Sequence, residues 1–203
     1  MSACILAPVT FSKHRLPELP ATATEAMNLN NLFAKNGIAS KSYTYSDANE
    51  INIKSDEIAK SQYLHFATHG IVDEVRPELS QIYLASNSAT EDGNLYTGEI
   101  YNLQLSADLV TLSACQTGLG KIYKGEGIVG LSRALLYAGA NNMLVSLWSV
   151  ADQSTANLMV SFYEKALGKY SYSEGLQMAK KEMVKQKNYA APYYWAPFIL
   201  IGQ

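Results

Sequence analysis

Short apolar runs alternate with longer amphipathic stretches along most of the chain. The runs have the length and the β-branched content of buried strands. They lie at residues 4–8, 62–67, 108–114, 143–148 and 198–201, with a weaker alternating run at 41–46. Between them, apolar residues recur every three or four positions, which predicts helices over about residues 21–36, 128–138, 154–167 and 171–185, and a short polar helix over 50–60. This alternation predicts an α/β fold with a mostly parallel sheet flanked by helices.

Capping residues indicate where several of these helices begin and end. Gly139 follows the helix that starts near residue 128, as a C-terminal cap does. Ser171 and Glu174 have the spacing of a capping box, which predicts the start of the last helix. Asp152 or Ser154 can supply the N-terminal cap of the helix before it.

The segment between residues 70 and 100 interrupts the alternation of strands and helices. Residues 70–77 are polar and predict a loop. Two short strand-like runs follow, at 81–85 and 94–96, and the tripeptide Glu91-Asp92-Gly93 between them is a turn signal. This part of the chain therefore predicts a small β-hairpin inserted into the α/β fold.

Two of the buried strands end at reactive side chains. The run at 62–67 leads to His69 and Gly70, and the run at 108–114 leads to Cys115. In open α/β sheets, functional sites gather beyond the carboxyl ends of the strands. If these strands are parallel neighbours, an imidazole and a thiol meet at the same edge of the sheet.

A thiol and an imidazole in this arrangement are the parts of a catalytic dyad. The thiolate is the reactive form of cysteine, and a nearby imidazole favours it. Gly70 lets the backbone approach a ligand, and its N–H with that of Cys115 can form an oxyanion hole. A purely structural interpretation also fits, with Cys115 as a small buried side chain and His69 bonded to a backbone carbonyl.

Three other kinds of site can be suggested from nearby spacings, and each is weaker than the dyad. Cys115 and Lys121 have the spacing of a phosphatase loop, but lysine lacks the two-pronged guanidinium that holds phosphate. Residues 125–130 match a dinucleotide-binding fingerprint by letter, but no strand precedes them directly. His65 and His69 are four apart on a strand, roughly 13 Å, which is too far to share a zinc ion. His65 is therefore expected to be structural.

Trp148, at the end of the strand at 143–148, and Asp152, which follows it, are further candidates. Asp152 is either a helix cap or an acid at the rim of the site that holds a basic substrate side chain. Trp148 is expected in the core or in the wall of a substrate pocket, and a buried indole needs a partner for its N–H.

Composition narrows the class of protein. The 203 residues fit one domain covering 1–203, and 48% hydrophobic with 17% charged residues is usual for a folded domain. The net charge of −2 and the lack of a Lys/Arg run argue against a nucleic-acid or membrane-surface partner. No apolar stretch reaches the roughly 18 residues that span a bilayer, and no secretory leader is recognisable. The two distant cysteines suggest a reducing cytoplasm rather than a disulfide framework.

Longer motifs extend the comparison to a known family. They are HFATHG, LSACQTG, GEGIVGLSRALLYAGA, SLWSVAD and YWAPFILIG in this order, preceded by LPATATE at 19–25. Together they closely resemble the CHAT domain, a caspase-like family often found after helical TPR repeats in bacterial proteins. The resemblance covers nearly the whole chain.

The resemblance implies a caspase-like three-layer sandwich, as in the separase and gingipain cysteine peptidases. It makes His69 of the His-Gly motif the catalytic histidine and Cys115 of the Ser-Ala-Cys motif the nucleophile. In separase-like relatives an acid after the Leu-Trp strand reads a basic P1 side chain, and Asp152 is similarly located. Ala151 departs from the pattern, because an acid is common there.

The implied activity is that of a cysteine endopeptidase that cleaves a protein or peptide substrate, or itself. It requires no metal and no organic cofactor. TPR repeats in a longer form of the same chain are the expected partners. The alternative is a non-enzymatic signalling module that keeps the fold and uses the same cleft to bind a peptide or a neighbouring TPR domain.

Overall fold

The structure, a computed structural model, describes residues 1–73, 75–86, 91–113 and 126–202, with only the backbone at 126–129. The strands in chain order are β1 (Ser2–Ala7), β2 (Ala39–Thr44), β3 (Tyr63–Phe66), β4 (Gly70–Ile71), β5 (Gln81–Tyr83), β6 (Asn94–Tyr96), β7 (Leu109–Leu112), β8 (Asn142–Ser146) and β9 (Phe198–Gly202). The α-helices are α1 (Pro20–Lys35), α2 (Glu50–Ile53), α3 (Asp56–Ala59), α4 (Thr97–Ile100), α5 (Glu126–Tyr137), α6 (Asp152–Ala166) and α7 (Tyr172–Lys185). Short 3₁₀ turns lie at 12–14, 45–47, 77–79 and 192–194.

The main sheet has six strands in the order β2-β1-β3-β7-β8-β9. The pairs from β2 to β8 are parallel, and β9 joins the edge antiparallel to β8. The predicted mostly parallel sheet is therefore confirmed. The strands that lead to His69 and to Cys115, β3 and β7, are direct neighbours in its centre.

Alternation along the strands builds one core on each side of the sheet. In β3, Leu64 and Phe66 belong to one core, and Tyr63 belongs to the other. Apolar residues of α2 to α5 cover the first face, and those of α1, α6 and α7 cover the second. Each large apolar side chain that becomes fully buried contributes about 1.5–3 kcal/mol. These faces make the predicted three-layer sandwich.

The inserted segment is a small sheet rather than a hairpin alone. Strands β5 and β6 form the predicted antiparallel pair. The predicted loop at 70–77 was wrong at its start, because Gly70 and Ile71 pair with Ile82 and Gln81 and add β4 to the sheet. Two residues are too few for a strand period to show in a sequence.

Helix boundaries follow the predicted caps in one case and not in another. Ser171 and Glu174 form the capping box at the start of α7. The predicted cap of α6 was wrong: Ala151 holds the cap position, Asp152 is the first helical residue, and the Ser154 hydroxyl donates to the Ala151 carbonyl. The expected polar helix at 50–60 is divided into α2 and α3.

Within the part of the chain that the structure describes, no helix has the length and apolar character needed to cross a membrane.

A buried polar network crosses the core between the sheet and helices α1 and α6. The Nε2–H of His65 donates to Glu25 Oε1 at 2.8 Å, and Nδ1 lies 3.4 Å from the Tyr163 hydroxyl. That hydroxyl lies 2.8 Å from Thr111 Oγ1. All four side chains are buried. The network links α1, β3, α6 and β7, and it confirms that His65 is structural.

Glu25→Ala is expected to lower the free energy of unfolding by about 1–3 kcal/mol, because it leaves the buried Nε2–H of His65 unpaired. Glu25→Gln keeps an acceptor oxygen and should cost less. Chemical denaturation of both variants, with the exposed Glu18→Ala as control, measures the difference. Equal stability of Glu25→Ala and Glu18→Ala would show that the network contributes nothing.

Candidate active site

The candidate site lies beyond the carboxyl ends of β3 and β7. The two strands pair in parallel, with His65 opposite Thr111 and Phe66 opposite Leu112. Beyond the last pair, the Ser113 N–H still donates to the Phe66 carbonyl at 2.9 Å. His69 follows β3 by three residues, and Cys115 follows β7 by three residues. Cys115 itself lies outside the described residues, as does most of the glycine-rich stretch 118–127 after it.

The imidazole of His69 has one bonded and one unbonded nitrogen. Its Nε2–H donates to the backbone carbonyl of Pro17 at 2.7 Å. Its Nδ1 is buried and has no hydrogen-bond partner among the described residues. The carbonyl can only accept, so it fixes the tautomer with the proton on Nε2. The lone pair on Nδ1 is therefore available to accept a proton.

The surroundings of His69 keep its ring neutral. Burial lowers the pKa of His69 below its ordinary 6.5, and the hydrogen bond to the Pro17 carbonyl opposes this only in part. The ring of Phe11 packs edge-on against the imidazole, with 4.6 Å between ring centroids. Only 1% of His69 is exposed. At neutral pH the residue can act as a base, whereas a charged imidazolium in this position would lack solvation.

The backbone around His69 and Gly70 is held by the inserted sheet. The Tyr83 N–H donates to the His69 carbonyl at 2.9 Å, and the Thr68 hydroxyl donates to the Tyr83 carbonyl. Gly70 is buried and opens β4 opposite Ile82. The inserted sheet therefore fixes the position of the His69 backbone beyond the end of β3.

Trp148 lies just beyond the carboxyl end of β8, the strand next to β7. Its side chain is partly buried, and its indole N–H donates to the Tyr193 carbonyl at 3.1 Å. The expected need for an N–H partner is thus met by a backbone carbonyl from the turn before β9. The Tyr193 ring is half-exposed beside it. This arrangement gives the sheet edge an aromatic border.

Asp152 is engaged with helix α1. Its Oδ2 accepts the N–H of Ala21 in the first turn of that helix at 2.7 Å. A carboxylate at this end of a helix also interacts favourably with the helix dipole. Burial raises the pKa of Asp152, the Ala21 N–H opposes the shift, and nearby Glu25 adds to it. The sequence suggested a cap for the helix that contains Asp152, whereas the carboxylate caps a different one.

One acidic trio in the described part of the chain has its carboxylates close enough together to share a cation. It consists of Glu50, Glu91 and Glu99. The ammonium of Lys54 lies within 3.0–3.4 Å of a carboxylate oxygen of each one. The cluster is therefore already neutralised in part by a side chain and carries no argument for a metal.

Solved structures of similar fold include separase and gingipain R. Separase in the Saccharomyces cerevisiae separase–securin complex matches with a TM-score of 0.57 and 13% identity, over 99% of this chain and 11% of that one. The Arg-specific cysteine proteinase gingipain R (RgpB) matches with a TM-score of 0.58 and 12% identity, over 100% of this chain and 46% of that one. The complex of Porphyromonas gingivalis RgpB pro- and mature domains gives a TM-score of 0.57 at 13% identity, over 100% and 47% of the chains. At this identity, the likeness shows the caspase-like fold alone.

Curated relatives match a smaller part of the chain. Tetratricopeptide repeat protein 28 of Mus musculus is 36% identical over 108 residues, and the Homo sapiens protein is 35% identical over 108 residues. The match covers 53% of this chain and 4% of each relative's length. The family model of the CHAT domain matches residues 5–203, so the chain belongs to the CHAT domain family and has its caspase-like, cysteine-peptidase type of fold.

Proposed function

We propose that the chain is a cysteine endopeptidase that uses His69 and Cys115 as a catalytic dyad on a protein substrate or on itself. The observation that carries this proposal is the His69 imidazole. Its tautomer is fixed, and its buried Nδ1 has no hydrogen-bond partner among the described residues. The residue lies just beyond β3, the strand that pairs with β7. A core histidine normally has its polar atoms satisfied. Membership of the CHAT family supports the same assignment.

The proposed reaction is an acyl transfer in two halves. Nδ1 of His69 takes the thiol proton as Cys115 Sγ bonds to the scissile carbonyl carbon. The tetrahedral intermediate then loses its C–N bond, and the proton passes from Nδ1 to the leaving amine. A water molecule, deprotonated by the same imidazole, attacks the thioester and releases the carboxylic acid and the thiol. The N–H groups of Gly70 and Cys115 are the proposed donors to the oxyanion.

A basic P1 side chain is the substrate feature that this site favours. Asp152 is the acid after the β8 strand, and its carboxylate is only partly buried. Gingipain R, which has a similar fold, is described as Arg-specific. Trp148, four residues before Asp152 in the chain, is the proposed wall of the pocket, and the hydrogen bond from its indole N–H to the Tyr193 carbonyl holds the ring in place. Position 151 is an alanine in this chain, so Asp152 is the proposed source of negative charge in the pocket.

The second candidate is a binding module without peptidase activity. The observation that favours it is the burial of His69, of which only 1% is exposed. Relatives that contain the matching region are tetratricopeptide repeat proteins, so this chain would be one domain, 1–203, of a longer protein whose TPR repeats act on it. The separase match is a complex with securin, which suggests that a protein partner can occupy such a fold.

Cys115→Ala and His69→Ala are each expected to reduce peptide cleavage at least about 10³-fold, because each removes one member of a dyad that acts as a unit. Cleavage of a peptide library, with products identified by mass spectrometry, is the measurement. Cys4→Ala, a substitution of the other cysteine of the chain, serves as the control variant. Cleavage that persists in both dyad variants would remove the mechanism. Absence of cleavage in every variant, with retained binding of the same peptides, would favour the binding module.

The acidic limb of the pH profile of kcat/KM is expected below pH 6.5, because burial lowers the pKa of His69. The free energy of unfolding should also depend on the protonation of His69. As the pH falls below 6.5 the unfolded chain binds the proton first, so the free energy of unfolding decreases until the lower folded pKa is passed. His69→Ala should lose this component of the pH dependence in denaturation experiments. An acidic limb above 6.5 would contradict the proposed neutral imidazole.

Asp152→Asn and Asp152→Ala separate the substrate role of this residue from its capping role. Asn keeps an oxygen for the Ala21 N–H but removes the charge, so cleavage after Arg or Lys should fall about 10–100-fold while stability changes little. Ala removes both and should also lower the free energy of unfolding by about 1 kcal/mol. Kinetics on matched peptides with Arg or Gln at P1 measure the preference. An unchanged preference in Asp152→Asn, or an acidic P1 residue in the library products, would refute the assignment.

A further inference from the structure

The segment that connects β1 with α1 passes over His69. This segment, residues 8–19, is named the strap here. Phe11 in the strap is buried, and its ring meets the His69 imidazole edge-on, with 4.6 Å between centroids and 62° between planes. Pro17, further along the strap, supplies the carbonyl that accepts the Nε2–H of His69. The imidazole is therefore bounded by two groups from one short segment.

The start of the strap is held in a costly backbone conformation. Val9 has φ of 64°, in the left-handed region that β-branched residues rarely occupy. Its side chain is buried, and its carbonyl accepts the Leu19 N–H at 2.9 Å, which closes the strap on itself. Such a conformation persists only where the surrounding structure determines it, and it is commonest near functional groups.

The middle of the strap rests on the inserted sheet. The His14 ring lies 5.0 Å from that of Tyr83, and its Nε2 is 3.3 Å from the Leu84 carbonyl. Tyr83 also donates its N–H to the His69 carbonyl. Strand β5 therefore holds both the strap and the backbone of His69, so the position of Phe11 relative to the imidazole is set from two sides.

We propose that Phe11 is a positioning residue for His69. The T-shaped contact of its ring keeps the imidazole in the orientation that directs Nε2–H to Pro17 and leaves Nδ1 for the reacting proton. A smaller side chain at position 11 would let the imidazole rotate away from the Pro17 carbonyl and would admit water. The structural part of this inference concerns His69 alone, and its kinetic part rests on the proposed dyad. The burial that lowers the pKa of His69 is consistent with this role.

The test is Phe11→Leu, with Phe33→Leu as the matched control. Phe33 is also a fully buried phenylalanine, but it packs against Tyr63 and Tyr163. Nitrogen-15 NMR of the whole chain, labelled at its three histidines, reports tautomer and titration, and His69→Asn assigns the His69 signal. Phe11→Met, which is closer in volume, replaces Phe11→Leu if the latter does not fold.

Wild-type His69 is expected as a single tautomer protonated on Nε2. Phe11→Leu should give a mixture of tautomers and move the pKa of His69 upward, toward 6.5, and Phe33→Leu should do neither. With a cleavable peptide, Phe11→Leu should lower kcat about tenfold, leave KM nearly unchanged and shift the acidic limb upward. An unchanged His69 tautomer and titration in Phe11→Leu, or equal changes in Phe33→Leu, would overturn the inference. NMR changes confined to Phe11→Leu in a chain that cleaves nothing would support the positioning role and refute the proposed peptidase.

Discussion

The parallel pairing of β3 with β7 is the constraint on which the rest of the structure depends. These strands lie in the centre of the six-stranded sheet, covered on both faces. Because they run in the same direction and end at the same level, His69 and the segment leading to Cys115 leave the sheet at one edge. A shift of one residue in this register would turn buried side chains to the wrong face. The buried hydrogen bonds from His65 to Glu25 and from Tyr163 to Thr111 would then be lost.

The same edge combines apolar burial with a few directed polar contacts. Burial keeps the imidazole of His69 neutral, and a backbone carbonyl sets its tautomer without adding a charge. A carboxylate in place of that carbonyl would raise the pKa of His69 and leave a smaller fraction of its imidazole unprotonated at neutral pH. Asp152 is bonded to the first turn of α1, which follows directly on the strap. The proposed base and the proposed specificity residue therefore share one supporting segment of the chain.

The fold is shared far beyond recognisable sequence. At 12–13% identity, separase and gingipain R retain the arrangement of strands and helices over almost all of this chain. A parallel sheet between two helical layers tolerates such divergence, because its cores need apolar volume more than particular residues. Membership of the CHAT family thus establishes the scaffold. The activity proposed for this chain rests instead on two side chains, His69 and Cys115.

Local patterns in the sequence determined the main strands, the long helices and the two strand ends that carry His69 and Cys115. Each of these features is recognisable from residues close together in the sequence, either as a periodic pattern of apolar residues or as an apolar run followed by a glycine. The short strand at Gly70 is set by pairing with β5 and has no such pattern. The role of Asp152 could not be predicted locally either. It was predicted to cap α6, but its carboxylate bonds the first turn of α1, 131 residues away in the chain.

Only the tertiary structure decided the environment of the proposed base. No sequence motif marks the Pro17 carbonyl, the Phe11 ring or the left-handed backbone of Val9. Their role comes from proximity to His69, which lies more than 50 positions later in the chain. A backbone carbonyl belongs to every residue and cannot be recognised from its side chain. The sequence thus determined which groups are available for chemistry. Packing across the sheet edge determined the protonation, tautomer and orientation of the imidazole, because these depend on what surrounds the ring.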